Sequence, residues 1–298
     1  MVHGIALTLL LALCGAVHAA ALMFWFGVLS LERVLGVRPA WNERKAFRVA
    51  ALVASVAGLL WPAVETAVVL GDPAAAVNFR QIGFVMSQTS FGQIWSARLA
   101  IVLGATILAW LPTERDAVWQ ERSVYVLVAA ALASVAMVGH AAAASGLSGI
   151  VQRLTAALHL LVAGAWIGAL PVLYSFVARL RPHVLAELLR RFSAYGQALV
   201  ATVVGTGLLN AWFRIGGVAA LIKADYAHVL IGKVALVAGM GLAALLNRGR
   251  YTPALDSRDP QAQWEAERGL RLSIALEFAL GVAVVVVAFL LGVMDAPR

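Results

Sequence analysis

LTAALHLLVAGAWIGALPVLYSFVA, residues 154–178, runs for 25 positions with one histidine, His159, and no acidic or other basic side chain. As a helix it would rise about 38 Å, more than the roughly 30 Å of hydrocarbon in a bilayer. The run is too long, and too rich in Ala, Leu and Gly, to be a barrel strand, which alternates over about ten residues. It reads as a membrane-spanning helix. Seven more runs of the same kind fall at 5–31, 49–70, 94–111, 123–142, 192–213, 226–246 and 272–293. The predicted fold is an all-α integral membrane protein with eight transmembrane helices.

Composition agrees. Of the 298 residues, 62% are hydrophobic and 13% charged, and mean hydropathy is +0.88. A soluble domain carries roughly 25% charged residues, so this chain has too few to keep a folded surface wet. The net charge of +8 does not point to nucleic acid, because the basic residues sit in short loops between apolar runs, where they orient a membrane protein. Cys14 is the single cysteine, which rules out an intrachain disulfide or a Cys-x-x-Cys site. The opening MVHGIALTLLLALCGAVHA resembles a secretory leader, but no Lys or Arg precedes its apolar centre and the run continues to Leu31. It is expected to be the first span.

Lys and Arg set the orientation. The loops after the first, third, fifth and seventh runs hold sixteen of them, and the loops after the second, fourth and sixth hold only Arg80, Arg153, Arg214 and Lys223. Positive loops stay in the cytoplasm, so both termini are predicted to be periplasmic.

A repeat divides the chain. His18, Trp25 and Gly27 recur as His159, Trp166 and Gly168, all at an offset of 141. Arg98 in FGQIWSARLAI matches Lys233 in YAHVLIGKVAL more loosely, and Gly-Leu-Leu occurs at both Gly58 and Gly207. The reading is a single transmembrane domain made of two four-helix halves, 1–145 and 146–298. Four is an even number, so the halves have parallel orientation and an axis along the membrane normal. Sites in such proteins tend to lie between the halves, where His18 and His159 would face each other.

Ionisable side chains in hydrocarbon are expensive and usually face the bundle interior. Here they are His18, Glu65, Arg98, His159, Lys233 and Glu277, with His140 at the outer end of the fourth run. Most fall in the outer half, whereas Glu277 lies nearer the cytoplasm. Imidazole is the commonest transition-metal ligand, and thiol or thioether sulfur selects copper(I). Cys14 and His18 are spaced i, i+4 and Met137 and His140 i, i+3, so each pair shares a helix face. The candidate metal ligands are therefore His18, His140 and His159, with Met137 and Cys14 as sulfur donors. A membrane histidine also serves as a helix–helix hydrogen-bond partner, and Met and Cys as filler. Glu65 with Arg98 reads as a structural ion pair, and the intramembrane tryptophans as packing or interface anchors. No phosphate-cradling glycine loop, zinc-protease helix or serine elbow is present, and no enzymatic activity is expected.

At these residues the chain resembles the copper resistance D family of bacterial inner-membrane proteins. The resemblance is carried by LHLLVAGAWIGALPVLYSF from Leu158, VGHAAAA around His140, RRFSAYGQALVATVVGTGLLNAW ending at Trp212, the helix from Lys233 to Arg248, and Ser273–Glu277. It implies an eight-helix inner-membrane protein that moves copper from periplasm to cytoplasm, supplied by a small periplasmic copper carrier. No such carrier domain is part of this chain. With only six Met the chain is poor in scavenging sulfur, which favours handover from a carrier over direct capture. Two further readings stay open at this point. Paired histidines on different helices can clamp a haem in an electron carrier, and a copper-binding assembly partner would bind the metal without transporting it.

Overall fold

In hydrocarbon each backbone N–H and C=O must find its partner inside the chain, and a run of Ala, Leu and Val does this most simply as a helix. The computed structural model describes residues 2–36, 41–112, 118–138, 146–215 and 225–294, and its regular elements there are all helical. They are α1 (Val2–Leu35), α2 (Trp41–Leu70), α3 (Phe79–Gln88), α4 (Ser90–Trp110), α5 (Val118–Ser134), α6 (Gly146–Val177), α7 (Pro182–Ile215), α8 (Asp225–Leu246) and α9 (Pro260–Val293). A 3₁₀ turn, Pro73–Val77, leads into α3, and another, Val135–Met137, follows α5. A π turn, Asn247–Tyr251, and one further turn, Thr252–Ala254, extend α8.

Seven of these helices are long and apolar enough to cross a membrane: α1, α2, α4, α6, α7, α8 and α9. The eighth expected span, 123–142, corresponds to α5, which is 17 residues long and ends at Ser134. Its final positions, 139–142, lie outside the described residues.

Several helices outrun the apolar stretches that predicted them. α9 starts at Pro260, twelve residues before its apolar run, where the Asp259 side chain accepts the Gln261 N–H. Proline at the first helical position loses only an N–H that had no partner, so the sequence starts a helix there although it is polar. The short α3 was not expected. Asn78 caps it by accepting the Arg80 and Gln81 N–H groups, and the Thr89 side chain accepts the Gly92 N–H to start α4 at once.

α1 and α6 form the centre. Each packs on the other, on α5 and on α9, and each also packs on the helix that follows it across a loop, α2 or α7. Their crossing has no room for side chains. A Cβ at Gly27 would sit 2.5 Å from the Gly168 Cα and 2.7 Å from the Gly164 carbonyl oxygen. A Cβ at Gly168 would sit 3.0 Å from the Gly27 Cα and closer still to the Met23 carbonyl. Close backbone approach over small residues is how membrane helices associate.

Around this centre the two ends of the chain pack differently. α2 lies against α4, but α7 and α8 hardly meet among the described residues. The gap is a cavity of about 610 Å³ bounded by α6, α7, α8 and α9.

Candidate metal centre

The His18 pocket begins with a proline. Pro62 lies inside α2 and has no N–H to give the Gly58 carbonyl one turn earlier. The Trp95 Nε1–H of α4 takes that carbonyl instead, at 3.0 Å. Gly58 also leaves a hollow, since a Cβ there would come within 3.2 Å of His18 Cε1. The imidazole of α1 occupies the hollow, with ring centroids 5.4 Å from Trp95 and 6.1 Å from Trp61. His18 is fully buried.

Its tautomer follows from its neighbour. His18 Nδ1 lies 2.8 Å from the Ala54 carbonyl oxygen, which can only accept. Nδ1 therefore carries the hydrogen and Nε2 carries the lone pair. That Nε2 is buried and has no hydrogen-bond partner among the described residues. Metal-binding histidines have this arrangement, with one ring N–H held by a carbonyl and the opposite nitrogen left to ligate. Four residues earlier, Cys14 turns to the same helix, its Sγ donating to the Ala57 carbonyl at 3.4 Å. The two share a face as their spacing required.

His159 reaches the same state by another route. Its Nδ1 lies 2.9 Å from the Thr206 hydroxyl of α7. That hydroxyl donates its own hydrogen to the Thr202 carbonyl one turn back, at 2.6 Å. It can only accept from the ring, so His159 too is the Nδ1–H tautomer with a lone pair on Nε2. Gly207 lies beside it, where a Cβ would be 3.5 Å from His159 Cε1. The two Gly-Leu-Leu sites thus make room for the two repeated histidines.

The rings do not converge. His18 is turned into α2 and α4, and His159 into α7, each away from the α1–α6 crossing. Among the described residues no three His, Cys, Asp or Glu side chains cluster as a metal site. Met137 is half-buried in the 3₁₀ turn after α5. His140 lies outside the described residues.

The remaining polar groups depart from expectation. Arg98 is buried and not paired with Glu65. Its Nε donates to the Ser134 hydroxyl at 2.8 Å and its Nη2 to the Ser134 carbonyl at 2.5 Å. Its guanidinium stacks 4.4 Å from the Trp95 ring. Arg98 thus closes the C-terminal end of α5, whose last carbonyls have no helical partner. Trp25, Trp61, Trp95 and Trp166 are interior residues, 0 to 9% exposed, so the packing reading holds for them and the interface reading does not. Trp166 donates from Nε1 to Glu277 Oε1 at 2.8 Å, 111 residues away. The sequence held partial signals for these contacts: Pro62 four residues after Gly58, and Thr206 beside Gly207.

Comparison with known proteins places the chain in a family. Residues 6–150 match the model of the copper resistance protein D-like N-terminal domain, and residues 186–291 match that of copper resistance protein D. The chain is 31% identical to copper resistance protein D of Pseudomonas syringae pv. tomato over 217 residues, 69% of this chain and 68% of that protein. It is 30% identical to inner membrane protein YebZ of Escherichia coli (strain K12) over 212 residues, 70% of each. No solved structure matches. With both family models matched in order along an all-helical membrane chain, the protein belongs to the copper resistance protein D family.

Proposed function

We propose that this protein carries copper across the bacterial inner membrane, from periplasm to cytoplasm, with His18, His140 and His159 as successive ligands. The observation that carries the proposal is the orphaned Nε2 of His18, a lone pair held ready in a buried, aromatic-walled pocket. A second imidazole in the same tautomer at the repeat-equivalent place supports it. Copper(I) accepts two or three nitrogen or sulfur ligands, so each site needs little more than one histidine and a sulfur such as Cys14 or Met137. Sparse ligation suits transport, because a conducting site must release what it binds. The cargo arrives from a periplasmic copper carrier, since the chain has only six Met.

The working architecture is eight spans in two parallel four-helix halves, 1–145 and 146–298, with both termini periplasmic. For the eighth span, α5 and its 3₁₀ turn together rise about 31 Å, close to the hydrocarbon thickness. The α1–α6 crossing supports the halves. Gly27 approaches Gly168 and Gly164, while Gly168 approaches Gly27 and Met23. An offset of 141 maps each of these contacts onto the other, as a two-fold axis requires.

Copper uptake into proteoliposomes, with metal analysis and a visible spectrum of the same preparation, tests the function. Uptake that depends on His18 and His159 supports it. Copper bound without uptake sinks transport in favour of an assembly role, and a Soret band sinks it in favour of a haem carrier.

A further inference from the structure

The 610 Å³ cavity between α6, α7, α8 and α9 is apolar except at one end. There the Glu277 carboxyl, 2% exposed, sits in the wall of a membrane-spanning helix. No ion pair to it is formed among the described residues. Two neutral donors reach it, Trp166 Nε1 at 2.8 Å on Oε1 and, more weakly, Asn247 Nδ2 at 3.4 Å on Oε2.

We infer that Glu277 is a proton-binding site, exchanging with the cytoplasmic side through this cavity and coupling proton movement to copper movement. The coupling rests on the transport reading above, whereas the proton site does not.

Two observations carry the inference beyond a structural hydrogen bond. The first is the repeat. Trp25, the counterpart of Trp166, is also fully buried, yet its Nε1 has no hydrogen-bond partner among the described residues. The fold therefore tolerates this tryptophan without an acid, so satisfying the indole does not explain a carboxyl in hydrocarbon. An ionisable group in that medium is expensive, and where one occurs it marks an ion or proton path.

The second is the Asn247 amide, which lies in the π turn. Its Nδ2 points to the carboxylate, and its Oδ1 is buried with no hydrogen-bond partner among the described residues. An amide is symmetric in shape and has a donor at one end and an acceptor at the other. In this orientation it donates to an ionised Glu277. Turned over, it accepts the O–H of a protonated one. The site thus accommodates both protonation states by one side-chain flip. π turns inside helices recur at functional sites for such local adaptation.

The surroundings leave the carboxyl to titrate largely by itself. Among the described residues, Arg248 is the one charged side chain besides Glu277 that lines the cavity. α7 contributes Ser193 and Gln197, and its Arg190 is engaged by Glu187 at 3.2 Å and Asp256 at 2.7 Å; Arg191 and Tyr195 are the next titratable groups along it. On α6 there is no titratable residue between His159 and Tyr174, on α8 none between Lys233 and Arg248, and on α1 none between His18 and Glu32. On α9 the nearest is Arg271.

Infrared titration of the purified full-length protein in lipid, without copper, decides the proton site. Wild type should show a protonated-carboxyl C=O band that appears and vanishes with pH. The band should be lost in Glu277→Gln and kept, displaced, in Glu277→Asp. An identical titrating band in Glu277→Gln overturns the site. Should the Gln variant not insert, Asn247→Ala decides. The band moves if the amide is its partner, and an unmoved band overturns the site.

Proteoliposomes then test coupling. An imposed pH gradient should change the copper uptake rate of wild type and Glu277→Asp and leave that of Glu277→Gln unchanged. A Gln variant as gradient-sensitive as wild type overturns the coupling. Wild-type vesicles that take up no copper overturn both the transport reading and the coupling, and the infrared result still stands or falls by itself.

Discussion

Replacing Gly168 with alanine adds one methyl group at the crossing of the two central helices. The new Cβ would lie 3.0 Å from the Gly27 Cα and closer to the Met23 carbonyl, whereas carbon atoms pack comfortably at about 3.5–4.0 Å. Both obstacles are backbone, which cannot rotate aside. α1 and α6 must therefore part by roughly half to one ångström, a gap that forfeits a quarter to a half of each contact's attraction along the seam. Overpacking of this kind costs about 1–3 kcal/mol. Gly205→Ala is the control, because no atom lies within 4 Å of a Cβ there. In α7 that change should be neutral or stabilising by up to about 1 kcal/mol, alanine being the better helix former. Reversible unfolding in mixed detergent micelles, followed by tryptophan fluorescence, measures both. If Gly168→Ala is as stable as Gly205→Ala, the close α1–α6 crossing is wrong, and with it the contact that supports two related halves.

Thr206→Val removes the acceptor that fixes the His159 tautomer and keeps the shape. Copper affinity should fall about 10–100-fold by competition titration while the protein still inserts, and an unchanged affinity refutes the tautomer argument. Gly58→Ala should weaken binding at His18 without unfolding the protein, since the added Cβ lies 3.2 Å from the ring; an unaltered affinity there argues against His18 as a ligand. Cysteines placed at 179–191 should resist impermeant reagents added to intact cells, from the sixteen-to-four division of Lys and Arg. Labelling from outside would invert the topology.

The sequence makes the helices legible because burying a backbone in lipid leaves it one main option, and apolar runs record it. Helix ends were less legible. α2, α7 and α9 continue into polar sequence, where capping and propensity decide rather than hydropathy. The histidines could be found from the repeat, but their direction could not. It depends on Pro62 releasing the Gly58 carbonyl and on the Thr206 hydroxyl already donating to Thr202. Arg98 looked like a partner for Glu65 because charge suggests charge, yet the end of α5 offered two oxygens on one residue, Ser134. The Trp166–Glu277 bond joins residues 111 positions apart, and no local spacing encodes it.

X-ray absorption spectroscopy of the purified protein loaded with copper(I) tests the central claim most directly. Imidazole nitrogen should appear in the first coordination sphere. That signal and the bound copper should fall in His18→Ala and His159→Ala and stay unchanged in His183→Ala, where the replaced residue is exposed at the start of α7. Copper bound at full stoichiometry with the same nitrogen signal in both the His18→Ala and His159→Ala variants would contradict the account.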